Sequence, residues 1–163
     1  LTSYDKNLID DVTNSGKGLI IAANKWDLIN KDYKTMNNMA TEIQDELPDK
    51  TCYPILFTSA ITGKRVPKII ETALQIDEAR KYRIKTSEFN DFIEKLPIPP
   101  GGGDFSILYG TQHNIEPPSF IFFVKNVRKV KNNFYRYLER CLREKFGFEG
   151  TPIRISFKDK RQK

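Results

Sequence analysis

Over its 163 residues the sequence predicts an α/β protein in two parts, an incomplete parallel sheet with its helices and then a small α-β-β-α-β unit. Three observations predict it. Short apolar runs alternate with helical stretches up to about residue 80, the order expected of parallel strands joined by crossover helices. Beyond residue 85 the pattern changes to strands of period two, two of them consecutive. Charge divides at the same place: residues 1–79 carry nine basic and twelve acidic side chains, net −3, and residues 80–163 carry eighteen basic and nine acidic, net +9.

Residues 4–15 read as a helix, with Leu8, Ile9 and Val12 on one face and Gly16 and Gly18 ending the pattern. Leu19-Ile20-Ile21-Ala22-Ala23 is a continuous apolar run, as expected of a parallel strand covered on both faces. Met36, Met39, Ala40, Ile43 and Leu47 recur at helical spacing until Pro48 stops them. Tyr53 to Thr58 is the second strand. Val66, Ile69, Ile70, Ala73 and Leu74 mark a third helix, with Pro67 in its first turn. Two strands have too little surface to bury on their own. The pattern therefore predicts that residue 1 is the cut end of a longer protein, and that self-association or loose packing compensates the truncated sheet.

The second part begins at the basic stretch Arg80 to Lys85. Ser87 is expected to cap a helix with apolar positions Phe89, Phe92, Ile93 and Leu96, and PIPPGGG at 97–103 breaks it as a loop within one unit. Phe105, Ile107 and Tyr109 alternate with Ser106, Leu108 and Gly110 in a strand, and Ser119 to Lys125 form another. Residues 133–146 are the clearest helix, with Phe134, Tyr137, Leu138, Cys141, Leu142 and Phe146 as its apolar stripe and Arg136, Arg140 and Arg143 on another face. A last strand puts Ile153, Ile155 and Phe157 on one side and Arg154 and Ser156 on the other. The expected domains are 1–80 and 81–163.

A composition of 39% hydrophobic and 12% aromatic residues excludes a disordered tail or a fibrous repeat. The longest apolar runs are about five residues, far below a membrane span. Without a signal-peptide pattern the expected location is the cytoplasm, away from membranes. Cys52 and Cys141 each lie in an apolar pattern and read as core thiols; no metal site is expected.

The first motif that carries chemistry is NKWD, Asn24 to Asp27, directly after a buried strand. A carboxylate accepts two hydrogen bonds, so Asp27 can take both the N1 proton and the exocyclic amine of guanine, a pair that adenine does not offer. The Lys25 stem can lie across the purine face, and Asn24 can bond the base edge. The position fits, since ligands of α/β sheets bind beyond the carboxyl ends of the strands. Thr58-Ser59-Ala60 follows the next strand in the same way and can present the Ala60 N–H to the guanine O6. The candidate guanine-binding residues are Asn24, Lys25, Asp27, Ser59 and Ala60.

NKWD followed by the TSA loop resembles the fourth and fifth guanine-nucleotide motifs of the Ras-like translation-factor GTPases. YGTQHNIEPPSFIFFVKN at 109–126 and YRYLERCLREKFGFEGTPIRI at 135–155 are similar to the C-terminal domain of the Der (EngA) family of bacterial tandem GTPases. The resemblance implies a partial Ras-like P-loop GTPase domain over 1–80 and a KH-like domain over 81–163. It implies GTP or GDP as ligand, with Mg²⁺ in the intact protein, and a role in assembly of the large ribosomal subunit. The implied partners are that subunit, its ribosomal RNA and a missing N-terminal GTPase domain.

The chain departs from a working GTPase in having no GxxxxGK[ST] phosphate loop, no switch-region Thr and no DxxG; Gly16-Lys17-Gly18 stands on the wrong side of a strand. No catalytic residue is assigned, Mg²⁺ ligands are absent, and the chain alone is expected not to hydrolyse GTP. Gly147-Phe148-Glu149-Gly150 has GxxG spacing but joins a helix to a strand and contains an acid, so Gly147 reads as a helix cap and Gly150 as a turn residue. Lys125, Arg128, Lys129 and Lys131 are the candidate RNA or ribosome contact. Lys158, Lys160, Arg161 and Lys163 form a second basic run. His113, the single histidine, reads as an exposed turn residue. A second reading stays open at this point: a stand-alone basic module that binds RNA or protein without nucleotide chemistry.

Overall fold

The computed structural model describes residues 1–29, 33–47, 53–97 and 104–160. Pro48, Cys52, most of the PIPPGGG loop, Arg161 and Lys163 lie outside the described residues. The chain divides into two compact units, one of residues 1–79 with 149–152 and one of residues 80–148 with 153–163.

In unit 1, α1 (Ser3–Asn14) opens with a capping box in which Thr2 and Asp5 satisfy each other's backbone donors. β1 (Ile21–Ala23) and β2 (Ile55–Phe57) pair in parallel with Ile21 opposite Ile55 and Ala23 opposite Phe57. A 3-10 turn (Trp26–Leu28) and α2 (Tyr33–Glu46) connect them, and α3 (Val66–Lys81) follows β2. The order is the predicted one. β1 is not covered on both faces, however: Ala22 is exposed and its neighbours are half-buried, because two strands of three residues make too narrow a floor for the helices. The same narrowness overturns the expected face of α3, where Val66, Ile70 and Leu74 are exposed and Thr72 and Ile76 are buried. Ile9, Leu47 and Tyr53 make the small core. Residues 149–152 complete the unit: the Leu19 N–H donates to the Gly150 carbonyl at 2.8 Å, and a Cβ on Gly150 would run into the Ile76 side chain.

In unit 2, α4 (Thr86–Glu94) and α5 (Asn132–Phe146) pack on a sheet of order β3-β4-β5, made of β3 (Ser106–Ile115), β4 (Pro118–Lys125) and β5 (Arg154–Asp159). β3 and β4 run antiparallel, β4 and β5 parallel. The core is aromatic, with Phe89, Phe105, Phe120, Phe122, Phe134 and Phe148 buried among Leu138, Leu142 and Val124. The stripes predicted for α5 and β5 are those observed. The cap of α4 is not: Lys85 stands at the cap without a side-chain bond, and Ser87 lies inside the helix. Tyr109 does not share a face with Phe105 and Ile107, because a register shift between Ile107 and Tyr109 turns it outward. Gln112, buried at 6% exposure, accepts from the Ile84 N–H and donates to the Tyr82 carbonyl, tying down the segment that leads into α4.

Among the described residues no helix is long and apolar enough to cross a membrane. Cys141 is a free, half-buried thiol. Burial first, and then a bond with Cys141, pushes the Tyr137 phenol above its usual pKa.

Candidate functional site

The two strand-end loops of unit 1 emerge side by side because the backbone ladder continues past the strands. The Thr58 N–H donates to the Ala23 carbonyl and the Trp26 N–H to the Thr58 carbonyl, both at 2.9 Å. Trp26 fills the unspecified position of the NKxD motif as an anchor. It is 4% exposed, and its ring lies 4.5 Å from that of Phe57. Lys25 before it has left-handed backbone, φ 64°, which turns the chain sharply out of the strand. Its side chain is exposed, as is that of Asn24.

Two further hydrogen bonds, each made through a side chain, join the loops. Ser59, 1% exposed, donates from Oγ to Asp27 Oδ1 at 2.5 Å, within the range of a charge-assisted O–H to carboxylate bond. The Ala60 N–H donates to Asn24 Oδ1 at 3.1 Å. All five candidate residues thus fall on one pair of loops, with Asp27 half-buried and its carboxylate held from the side by Ser59.

The second loop is closed by parts that the sequence reading did not single out. The Ser59 N–H donates to the Lys64 carbonyl at 3.1 Å, and the Thr62 N–H reaches Ser59 Oγ at 3.3 Å. Gly63 and Arg65 both have positive φ, and Arg65 Nη1 returns to the Phe57 carbonyl at 3.3 Å. The Thr62-Gly63 pair is the sequence signal for this tight return.

No group of three His, Cys, Asp or Glu side chains is placed for a metal ion among the described residues.

The basic cluster of unit 2 falls on one short connection. Lys125 ends β4, Arg128 and Lys129 lie in a 3-10 turn (Val127–Lys129), and Lys131 precedes α5; all four are exposed. The Val127 N–H donates to Asp159 Oδ1 at 2.9 Å and holds that turn against the end of β5. The GxxG segment is built differently. Phe148, 1% exposed, belongs to the core, Arg143 donates to its carbonyl, and Gly147 caps α5 at φ 85°. Arg143 is held by Glu139 and by the Phe148 carbonyl. His113 is exposed on β3.

Residues 83–158 match the family model described as the KH-domain-like C-terminal region of EngA bacterial GTPase enzymes. GTPase Der of Alkaliphilus metalliredigens (strain QYMF) is 41% identical over 165 residues, which is 98% of this chain and 38% of the relative. GTPase Der of Halothermothrix orenii is 39% identical with the same coverage. That of Moorella thermoacetica is 38% identical over 168 residues, covering 100% of this chain and 38% of the relative. The chain therefore spans 38% of the length of these curated relatives.

Proposed function

Because this chain resembles the C-terminal part of GTPase Der, we propose that residues 1–80 are the back half of a Ras-like GTPase domain that reads guanine, and residues 81–163 a KH-like domain that meets ribosomal RNA. The observation that carries the first half is the pair of bonds between the loops, Ser59 to Asp27 and Ala60 to Asn24. They favour guanine because they fix an acceptor carboxylate beside a backbone donor, the complement of the N1 proton, the exocyclic amine and O6. Asn24 holds the Ala60 N–H until the base oxygen takes it, and Lys25 covers the purine face.

The intact protein acts as a GTPase in assembly of the large ribosomal subunit, in the cytoplasm, using GTP or GDP and Mg²⁺. The phosphate loop and the metal ligands come from sequence outside these residues, so the chain alone does not hydrolyse GTP. Its apolar partner is the rest of the protein, to which the exposed Val66, Ile70 and Leu74 offer one apolar stripe of α3. Lys125, Arg128, Lys129 and Lys131 neutralise RNA phosphates.

The test uses the intact protein. Asp27→Asn replaces a pure acceptor by an amide that also donates, so preference should move from GTP toward XTP. Competition of the two nucleotides against a fluorescent GDP measures it. Unchanged preference for GTP removes Asp27 from this role.

A further inference from the structure

The sheet of unit 2 has one covered and one open face. Phe120, Phe122 and Val124 of β4 are buried against α4 and α5, so by alternation Ser119, Ile121, Phe123 and Lys125 lie on the other side. The register lays out that open face in rows: Asn114, Ser119 and Arg154; Thr111, Ile121 and Ser156; Tyr109, Phe123 and Lys158; then Ser106 with Lys125. No Asp or Glu stands in these rows, and Lys125, Arg154 and Lys158 are exposed.

Tyr109 is on this face only because of the irregularity at Leu108. Simple alternation would send it inward after Phe105 and Ile107. Instead Gly110 takes the inner position, where α4 leaves no room: a Cβ there would lie 2.7 Å from Ile93 Cδ1 and 2.8 Å from Phe89 Cε1. Asn90 of α4 accepts from the Gly110 N–H at 3.0 Å and donates to its carbonyl at 3.2 Å. The bulge is therefore held from the covered side, and bulges that re-aim one side chain are common beside functional sites. The ring it re-aims stacks on Phe123, with centroids 4.6 Å apart and planes 18° apart, yet Tyr109 stays 42% exposed. Phe123 covers one face of that ring. Since β3 is the edge of the sheet among the described residues, no strand described covers the opposite face.

We propose that this open face is a stacking platform for single-stranded RNA, a base lying on Tyr109 and the phosphates beside it meeting Lys125, Lys158 and Arg154. An acid-free aromatic row with cations around it matches a polyanion whose bases are free to stack. A duplex keeps its base faces occupied and does not fit. The inference rests on the reading of unit 2 as an RNA-contacting domain, but assigns the base contact to residues other than Arg128, Lys129 and Lys131.

The test is fluorescence anisotropy of the 163-residue chain with a labelled oligoadenylate of about eight nucleotides, with an RNA duplex and an oligoglutamate peptide as comparisons. Tyr109→Ala should weaken single-strand binding about tenfold or more without altering its salt slope, and Tyr109→Phe should retain it. Lys158→Ala should make the slope shallower by about 0.7. Circular dichroism checks that each variant is folded, and a misfolded Tyr109→Ala is replaced by Tyr109→Ser. Binding unchanged in Tyr109→Ala, or a duplex held as tightly as the single strand, overturns the platform. So does an oligoglutamate that binds as well as RNA and is lost in Tyr109→Ala, which would make this a protein-docking face. If Arg128→Ala and Lys129→Ala weaken RNA binding while Tyr109→Ala does not, the platform falls and the basic turn stands; if no RNA binds, both fall.

Discussion

A buried hydroxyl beside a carboxylate aims the carboxylate, and Ser59 stands in that relation to Asp27. Hydrogen bonds to a charged group contribute about 1.5–3 kcal/mol, so Ser59→Ala in the intact protein should lower GDP affinity about tenfold or more while leaving the fold unchanged. Titration with a fluorescent GDP measures this, and an unchanged affinity would show that Asp27 is aimed by other groups. The sequence made Asp27 legible because its motif is local. Ser59 was legible as a candidate base contact, but its bond to Asp27 was not, since it joins positions 32 apart. Gly110 belongs to the same class. Nothing in YGTQ says that a helix side chain lies against that backbone, yet Gly110→Ala should cost about 1–3 kcal/mol by overpacking, visible as a lower urea midpoint.

At the scale of elements, periodicity located the helices and strands among the described residues, and apart from the coverage of β1 and the face of α3 the errors lie where one residue alters a count. The β3 bulge inserts one position and reverses the face of the residues after it, until a second irregularity between Gln112 and Asn114 reverses it again. α4 begins one residue before its best capping side chain. The start of α1 is better specified, and it yields a pH prediction. Hydrogen bonds from the Thr2 side chain and backbone hold Asp5 below the ordinary aspartate pKa. A folded-state pKa lowered in this way means that the cap contributes fully above about pH 4 and is lost as pH falls through the lowered value. Amide exchange in the first turn of α1 should therefore quicken below about pH 4, relative to the middle of the helix. In Asp5→Asn that acid step should disappear; its persistence would assign the step to another carboxylate.

At the scale of the whole molecule the two units differ in how much they bury. Eleven residues form the buried core of unit 2, against three in the main cluster of unit 1 among the described residues. Unit 1 meanwhile exposes Tyr4 at 75%, Leu8 at 51%, Ile70 at 66% and Leu74 at 61%. Burial of apolar area supplies most of the free energy of folding, so unit 1 should open first. It should also be the unit through which copies associate, because unsatisfied apolar faces seek partners. The chain has one tryptophan, Trp26, and it is buried against Phe57 within unit 1. Its fluorescence therefore reports on that unit alone, whereas far-ultraviolet circular dichroism also follows the sheet and helices of unit 2. Under urea the fluorescence transition should come at lower denaturant than the later part of the dichroism signal. Raising the protein concentration should move the fluorescence transition and leave the later one in place, because only the first involves association. Coincident transitions that do not depend on concentration would mean that the narrow two-strand sheet is as well supported as the aromatic core of unit 2, and that the exposed face of α3 needs no partner.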